Sequence, residues 1–161
     1  MGFLQDRKIL ITGLLSNRSI AYGIAKALAR EGATLAFTYQ SKDIKDRVAS
    51  LAGEFGTSPL LPCDVSDDAQ IDALFAALGR QWSGLDGIVH SIAYAPREAL
   101  KGELLDGLTR DAFRIAHDVS SYSFAALAKA GLPMMEGRKG ALLTLTYLGA
   151  ERSVQIGRAH V

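Results

Sequence analysis

Residues 8–30 of the sequence read KILITGLLSNRSIAYGIAKALAR, and this stretch decides the fold. Its first five residues form a short apolar run rich in β-branched side chains, which is typical of a buried strand. Gly13 and a polar loop follow, and Ser19 stands directly before residues with helical spacing, where its hydroxyl can cap the helix. A buried strand that turns through glycine into a helix gathers free N–H groups around one point. The stretch predicts an anion site, which in α/β folds usually holds a dinucleotide pyrophosphate.

The glycine spacing alone is a weak signal, because the G-x-G-x-x-G pattern of dinucleotide-binding turns is absent. Gly13 is followed by five residues, then by Ser19, Ile20 and Ala21, and then by Gly23. Any strand-loop-helix unit with a glycine turn would look similar. The rest of the chain must decide between the two interpretations.

The composition is that of a single globular domain. The chain has 161 residues, 48% of them hydrophobic and 22% charged, and a formal net charge of +1, which gives no indication of a nucleic-acid partner. Cys63 is the only cysteine, which excludes an internal disulfide and fits a reducing compartment. No apolar run reaches the roughly 18 residues of a membrane span, and the first residues do not resemble a signal peptide. We therefore expect a cytoplasmic protein with no membrane partner.

Strands and helices alternate along the rest of the chain. After the first strand, apolar and β-branched runs predict further strands over 34–39, 60–63, 85–90 and 141–146. Helical spacing predicts helices from Ile20 to Arg30, over 44–55, from Asp67 through Leu78, over 98–106 and over 109–132. The last of these is apolar on more than one side, which indicates deep burial or a subunit interface. The alternation predicts an α/β fold with a Rossmann-like, doubly wound parallel sheet.

Ligands of such sheets bind at the carboxyl ends of the strands. Gln40 ends the second strand, where a carboxylate would bind the 2′-hydroxyl of NAD and an arginine the 2′-phosphate of NADP. The neutral amide favours NADH over NADPH, although Lys42 nearby weakens that preference. Asp64 follows the third strand and could accept a hydrogen bond from adenine. Ser91 and Ala93 follow the fourth strand and are small enough for a ring or ribose to come close.

Five segments carry a more specific signal, in this order: TGLLSNRSIAYGIAKALAREGATLAFTYQ, CDV, DGIVHSIAYAP, RIAHDVSSYSF and LLTLTYLGAER. Together they resemble the bacterial enoyl-acyl carrier protein reductases of the FabI type, a divergent branch of the short-chain dehydrogenase/reductase superfamily. The resemblance covers residues 1–154. Members of this family reduce the trans-2 double bond of an enoyl thioester carried on acyl carrier protein, and NADH delivers the hydride to C3.

The resemblance assigns roles to particular residues. It implies cofactor contacts at Gly13, Ser19, Ile20, Gln40, Asp64, Val65, Ser91 and Ile92. It also implies that Ala95 lines the acyl pocket, and that Tyr147 is the first of two active-site tyrosines, whose phenol stabilises an enolate-like oxygen. Ala93 stands where other members have glycine, so its methyl group would narrow the space beside the nicotinamide. The family is usually homotetrameric, which fits the long helix over 109–132. We expect no metal site.

The family's second tyrosine and its lysine, spaced Y-x6-K, would follow the point where the resemblance ends. Residues 155–161 instead read QIGRAHV, which we interpret as a non-native tail, the alternative being a natural short variant. We expect residues 1–154 to be the N-terminal part of a single NAD-binding domain, truncated after the fifth strand. That strand should then be an exposed edge, and a chain lacking the Y-x6-K segment should be inactive.

Three residues have simpler interpretations than a catalytic one. Tyr122 and Lys129 have the Y-x6-K spacing but precede the fifth strand, so we interpret Tyr122 as a packing residue and Lys129 as a solvent or interface residue. His90, at a strand end, is more typical of a core histidine with hydrogen-bond partners than of a ligand contact. For the whole chain, the alternatives are a short-chain reductase acting on a carbonyl, a non-catalytic nucleotide-binding fragment, and a partly folded truncation.

Overall fold

The computed structural model describes residues 2–56, 58–103 and 105–151, so the tail predicted over 155–161 lies outside the described residues. Within these residues, five strands form one parallel sheet in the order β3-β2-β1-β4-β5. The strands are β1 (Lys8–Ile11), β2 (Thr34–Tyr39), β3 (Leu60–Pro62), β4 (Gly87–His90) and β5 (Ala141–Thr144). The order reverses between β1 and β4, which is the switch point of a doubly wound sheet. The predicted fold class is confirmed.

Helices cover both faces of the sheet. They are α1 (Ile20–Arg30), α2 (Lys42–Gly53), α3 (Asp68–Gly79), α4 (Arg110–His117) and α5 (Ser123–Met135). Helices α1 and α2 pack on one face, and α3 and α5 pack on the other. Each face has its own buried apolar cluster, because alternate residues of a strand point to opposite sides: Ile9 and Ile11 belong to one cluster and Leu10 to the other. No helix in the described part of the chain is long and apolar enough to cross a membrane.

Two predicted helices have different limits in the structure. Helix α2 starts two residues before the predicted 44–55, because Lys42 and Asp43 are polar and leave no apolar period to mark its first turn. The predicted helix over 98–106 was wrong: a single 3-10 turn spans Arg97–Leu100. Gly102 follows with φ of +69°, a left-handed conformation that ends helical geometry.

The helix predicted over 109–132 is not one continuous α-helix. A π-helical turn, Asp118–Tyr122, separates α4 from α5, and α5 continues through Pro133 to Met135. The apolar surface of the segment 109–132 is only partly buried, since Phe113 on α4 is 56% exposed. The prediction of deep burial therefore fails for this part of the surface, and the alternative of a subunit interface stays a prediction.

The interpretation of Tyr122 as a packing residue was wrong. Its side chain is about half exposed, and its hydroxyl donates to the carboxylate of Asp68 at 3.3 Å. The partner belongs to the start of α3, 54 residues away, so no local pattern could have indicated it. Lys129 is exposed on α5, as predicted.

The prediction for His90 is confirmed. Its imidazole is buried between β4, β5 and α5, and burial lowers its pKa. The hydroxyl of Ser123 donates to the carbonyl of Val119 at 2.6 Å, so it accepts from Nε2–H of His90 at 2.8 Å. Nδ1 then accepts from the hydroxyl of Thr144 at 3.3 Å. Both ring nitrogens have partners in the neutral Nε2–H tautomer.

Strand β5 lies at one edge of the sheet, as predicted, with β4 as its neighbour. All four of its residues are exposed. Leu142 and Leu143 point to opposite faces, yet each is 45% exposed. Among the described residues, both faces of this strand are therefore only partly covered.

The carboxylate of Asp86 joins the amino ends of three strands. It accepts from the backbone N–H of Lys8 at 2.9 Å, from Arg7 at 3.1 Å, and from two nitrogens of Arg138 at 3.0 and 2.9 Å. The backbone of Asp86 also bonds to Lys8 and to Ala141, the first residues of β1 and β5. The Asp86 side chain is only 3% exposed. Hydrogen bonds from Arg138, Lys8 and Arg7 outweigh desolvation and lower the pKa of Asp86 to about 2.

Replacing Asp86 should be strongly destabilising. An Asp86→Ala variant leaves two guanidinium groups and a backbone N–H without their partner, so we expect a loss of about 3 kcal/mol in the free energy of unfolding. Because folding lowers the pKa of Asp86, its contribution should be full above about pH 4 and should be lost as the pH falls towards 2. Urea unfolding between pH 2 and pH 7 measures both effects.

The matched control is Asp72→Ala, which removes an exposed carboxylate from α3. We expect it to change the free energy of unfolding by no more than about 0.5 kcal/mol. If Asp86→Ala were as stable as the control at pH 7, the role given to Asp86 would be wrong.

Candidate functional site

A cavity of about 770 Å³ opens at the carboxyl ends of β1, β2 and β4 and beyond the end of β3. It lies at the switch point of the sheet, where open α/β folds bind ligands. Six of the ten residues to which the sequence assigned a role line it: Gly13, Gln40, Asp64, Val65, Ser91 and Ile92. The sheet topology therefore brings together residues that are up to 79 positions apart.

The floor of the cavity is a close approach of two backbone segments. Thr12 N–H donates to the carbonyl of Val89 at 2.9 Å, and its hydroxyl donates to the same oxygen at 3.0 Å. The hydroxyl of Thr12 also accepts from Ser91 N–H at 3.3 Å. Gly13 follows with φ of +82°, and a Cβ placed on it would lie 1.8 Å from the carbonyl oxygen of Ser91. Only glycine fits at this position.

The first turn of α1 has the geometry that its sequence predicts. Ser19 caps the helix, because its hydroxyl accepts from Tyr22 N–H at 3.3 Å. The same hydroxyl donates to the carbonyl of Ser16 at 2.6 Å, which closes the loop before the helix. Neither Ser19 nor Ile20 lines the cavity, and Ile20 is 62% exposed.

The carboxylate of Asp64 and the side-chain amide of Gln40 line one end of the cavity. Asp64 accepts from the N–H and the hydroxyl of Ser66 at 3.0 and 2.7 Å, and from Nε2 of Gln40 at 3.1 Å. Burial favours its protonation, but the hydrogen bonds from Ser66 and Gln40 outweigh burial and lower the pKa of Asp64. The site thus presents a fixed negative charge at neutral pH.

Cys63 also lines the cavity but is not a nucleophile there. Burial, together with the nearby charges of Asp64 and Asp67, raises the pKa of its thiol to about 12. The thiol is therefore protonated at neutral pH and contributes an apolar wall.

Two predicted substrate-side residues lie away from this cavity. Ala95 is half-buried in the loop after β4, and Tyr147 is 47% exposed after β5. Neither lines the cavity. The described residues therefore form a cavity at the switch point, and the predicted catalytic phenol lies outside it.

The sequence reasoning missed one wall of the cavity. Arg114, Ile115, Asp118 and Val119, from α4 and the π turn, line the side opposite the sheet. The segment RIAHDVSSYSF is part of the family resemblance, but no role was assigned to its residues, and its apolar pattern does not indicate that it meets the switch point. Its placement depends on tertiary packing, through Ser120 and Ser123 in particular.

The comparisons with known proteins identify the family of the chain. A family model described as Enoyl-(Acyl carrier protein) reductase matches residues 13–160. The chain belongs to this family.

Individual relatives extend the comparison. An enoyl-[acyl-carrier-protein] reductase [NADH] FabI of Neisseria meningitidis is 54% identical over 154 residues, which are 96% of this chain and 59% of the relative. The crystal structure of the NADH-type enzyme of Aquifex aeolicus matches with a TM-score of 0.91 and 51% identity, over 95% of this chain and 60% of the other. The reductase of Anaplasma phagocytophilum, crystallised with NAD, matches with a TM-score of 0.89 and 39% identity, over 96% and 58%. The chain thus spans about 59% of its curated relatives' length.

The contact between Gly13 and Ser91 can be tested by substitution. Gly13→Ala adds a Cβ that collides with the Ser91 carbonyl and gives an L-residue a positive φ, so we expect a loss of at least about 2 kcal/mol in the free energy of unfolding. Chemical unfolding followed by circular dichroism measures this loss.

The control is Gly23→Ala in α1, where an added Cβ meets nothing within 4 Å. We expect this variant to be more stable by about 0.5–1 kcal/mol, since alanine favours a helix interior over glycine. A Gly13→Ala chain as stable as the Gly23→Ala chain would contradict the close approach.

Proposed function

We propose that residues 1–154 are the cofactor-binding part of an NADH-dependent enoyl-[acyl-carrier-protein] reductase of fatty-acid biosynthesis. One observation carries this proposal: six of the eight cofactor-contact positions that the resemblance implies line one cavity at the switch point of the sheet. The names of the relatives supply the reaction class, because the Neisseria meningitidis relative is named as an NADH-dependent reductase.

The residues around the cavity suit a dinucleotide. Gly13 lets the turn after β1 pass close to the Ser91 backbone, and this turn borders the cavity at the switch point, where open α/β folds bind ligands. Asp64 offers a carboxylate to the adenine amine, and Val65 and Ile92 offer apolar surface to the rings. Ser19 and Ile20, at the start of α1, remain proposed cofactor contacts although they lie outside the cavity.

The choice of NADH over NADPH is proposed to depend on Gln40 and Asp64. The amide nitrogen of Gln40 donates to Asp64, so the amide oxygen is the group that Gln40 can offer to a ribose hydroxyl. The negative charge of Asp64 beside it would repel a 2′-phosphate. Lys42, the first residue of α2, is the nearby group that acts in the opposite direction.

When bound, NADH supplies the hydride that reduces C3 of a trans-2-enoyl thioester. Tyr147 is the proposed catalytic residue, and its phenol would donate a hydrogen bond where negative charge develops on the thioester oxygen. Ala95 is proposed to line the acyl pocket. We further propose that acyl carrier protein carries the substrate, that the protein is a homotetramer, and that it is cytoplasmic.

A second candidate is a non-catalytic nucleotide-binding chain. The position of Tyr147 outside the cavity favours it. A third candidate, a short-chain reductase acting on a carbonyl, has less support, because the loop of Ser19, Ile20 and Ala21 is typical of the enoyl reductases. Binding without turnover distinguishes the second candidate, and the choice of substrate distinguishes the third.

The chain alone should bind NADH without reducing crotonyl thioesters. The Gln40→Arg substitution should shift its nucleotide preference towards NADPH. We expect the ratio of NADPH to NADH affinity to rise by about tenfold or more, because a guanidinium pairs with the 2′-phosphate. Fluorescence titration with both nucleotides measures the ratio.

The control is Gln81→Arg, which adds the same charge at an exposed position after α3. We expect it to leave the ratio unchanged. The proposal for Gln40 would fail if both variants changed the ratio equally or if neither changed it, and absence of NADH binding would refute the site itself.

A chimera tests the reaction. Residues 1–154, joined to the remaining part of the Neisseria meningitidis relative, should reduce crotonyl thioesters with NADH. In this chimera, Tyr147→Phe should lower kcat by about 10²-fold or more, because it removes a hydrogen-bond donor from the developing oxyanion. Steady-state absorbance at the NADH band measures both.

The control for this substitution is Tyr22→Phe, since the hydroxyl of Tyr22 donates to Glu54, the residue directly after α2, and Tyr22 does not line the cavity. We expect it to keep the rate of the parent chimera. A chimera that reduced ketones and left crotonyl thioesters unchanged would favour the carbonyl reductase instead.

A further inference from the structure

We propose that Ser120 is a positioning residue, which holds the loop over 91–96 in the conformation that forms one wall of the cavity. The proposal rests on the proposed cofactor role of that cavity. It adds a specific task for a residue that is neither at the cavity surface nor among the predicted contacts.

The contact consists of two hydrogen bonds through one hydroxyl. Tyr94 N–H donates to Oγ of Ser120 at 3.0 Å, and the same hydroxyl donates to the carbonyl of Tyr94 at 3.1 Å. The loop over 91–96 has no regular secondary structure, and backbone groups of such a segment need partners from elsewhere. Ser120 supplies the acceptor for the N–H of Tyr94 and the donor for its carbonyl, as the backbone of a neighbouring strand would.

The loop is also fastened at its two ends. Ser91 N–H donates to the hydroxyl of Thr12, and Pro96 accepts from Ala99 N–H at 2.9 Å. Ser120 acts between these points. Residues 91–94 line the cavity, so the position of the Tyr94 backbone determines the shape of that wall.

Ser120 can reach the loop because of the π turn. It is the middle residue of Asp118–Tyr122, and two of its neighbours in the turn, Asp118 and Val119, line the cavity. Short π-helical turns inside α-helices are rare and occur frequently at functional sites. The same turn therefore forms one wall with its own side chains and holds a second wall through Ser120.

The turn itself is fixed to the sheet independently of Ser120. Ser123 donates to the carbonyl of Val119 at 2.6 Å and accepts from His90 at 2.8 Å. His90 is the last residue of β4, and the loop starts immediately after it. The loop is thus held against a support that is anchored at the point where the loop begins.

The test is residue-resolved amide hydrogen exchange by NMR on the 161-residue chain, with NADH affinity measured by fluorescence. In Ser120→Ala, we expect exchange at Tyr94 to be about tenfold faster and NADH binding to be about tenfold weaker, in line with the loss of two hydrogen bonds. Ser120→Thr keeps the hydroxyl and should restore both values. Ser121→Ala, at the exposed neighbouring serine, should behave as the wild type.

Amide exchange at Leu10, which is fully buried in β1, reports on the global stability of the chain. If Ser120→Ala speeds exchange at Leu10 as much as at Tyr94, the effect is general destabilisation and the proposal is wrong. Unchanged exchange at Tyr94, or faster exchange with unchanged NADH affinity, also overturns it. If the wild-type chain binds no NADH, the proposed function fails, and exchange at Tyr94 with its rescue by threonine then decides the role of Ser120 alone.

Discussion

The buried carboxylate of Asp86 is the constraint on which the arrangement of the sheet depends. It lies before β4 and bonds to Arg7 and Lys8 at the start of β1 and to Arg138 before β5. A charge with only 3% exposure is tolerable because each oxygen has charged or backbone donors. Three parallel strands therefore share one fixed point at their amino ends. Their relative register follows from that point and from the ladder between them.

The opposite ends of the strands are organised differently. At the amino ends a charged cluster closes the sheet, whereas at the carboxyl ends the chain leaves each strand in a different direction and opens a cavity. Backbone contacts between Gly13 and Ser91 set its floor, and side-chain contacts between Gln40 and Asp64 set one end. The charged cluster fixes the strands at their amino ends, and the loops at their carboxyl ends are free to form the cavity. The π turn, Asp118–Tyr122, adds a wall to this cavity from the helical side.

Local chemistry explains which features the sequence could predict. Gly13, the cap at Ser19 and the carboxylate of Asp64 belong to short patterns in which strand, turn and helix signals are adjacent, so their placement could be predicted. The wall formed by Asp118 and its neighbours could not, because a segment that is apolar on more than one side has no clear period in which one extra residue could be recognised. Tyr122 was misjudged for a related reason, since its partner lies 54 residues away. The family resemblance named residues, but the cavity itself depends on tertiary packing.

The floor of the cavity has a consequence for how its two sides can evolve. The oxygen of residue 91 that approaches Gly13 belongs to the main chain, so it is present whatever side chain that position carries. As far as folding is concerned, position 91 is free to drift, whereas position 13 admits a single amino acid. One contact thus places very unequal limits on its two partners. Substitution at position 91 therefore keeps this contact, whereas substitution at position 13 removes it.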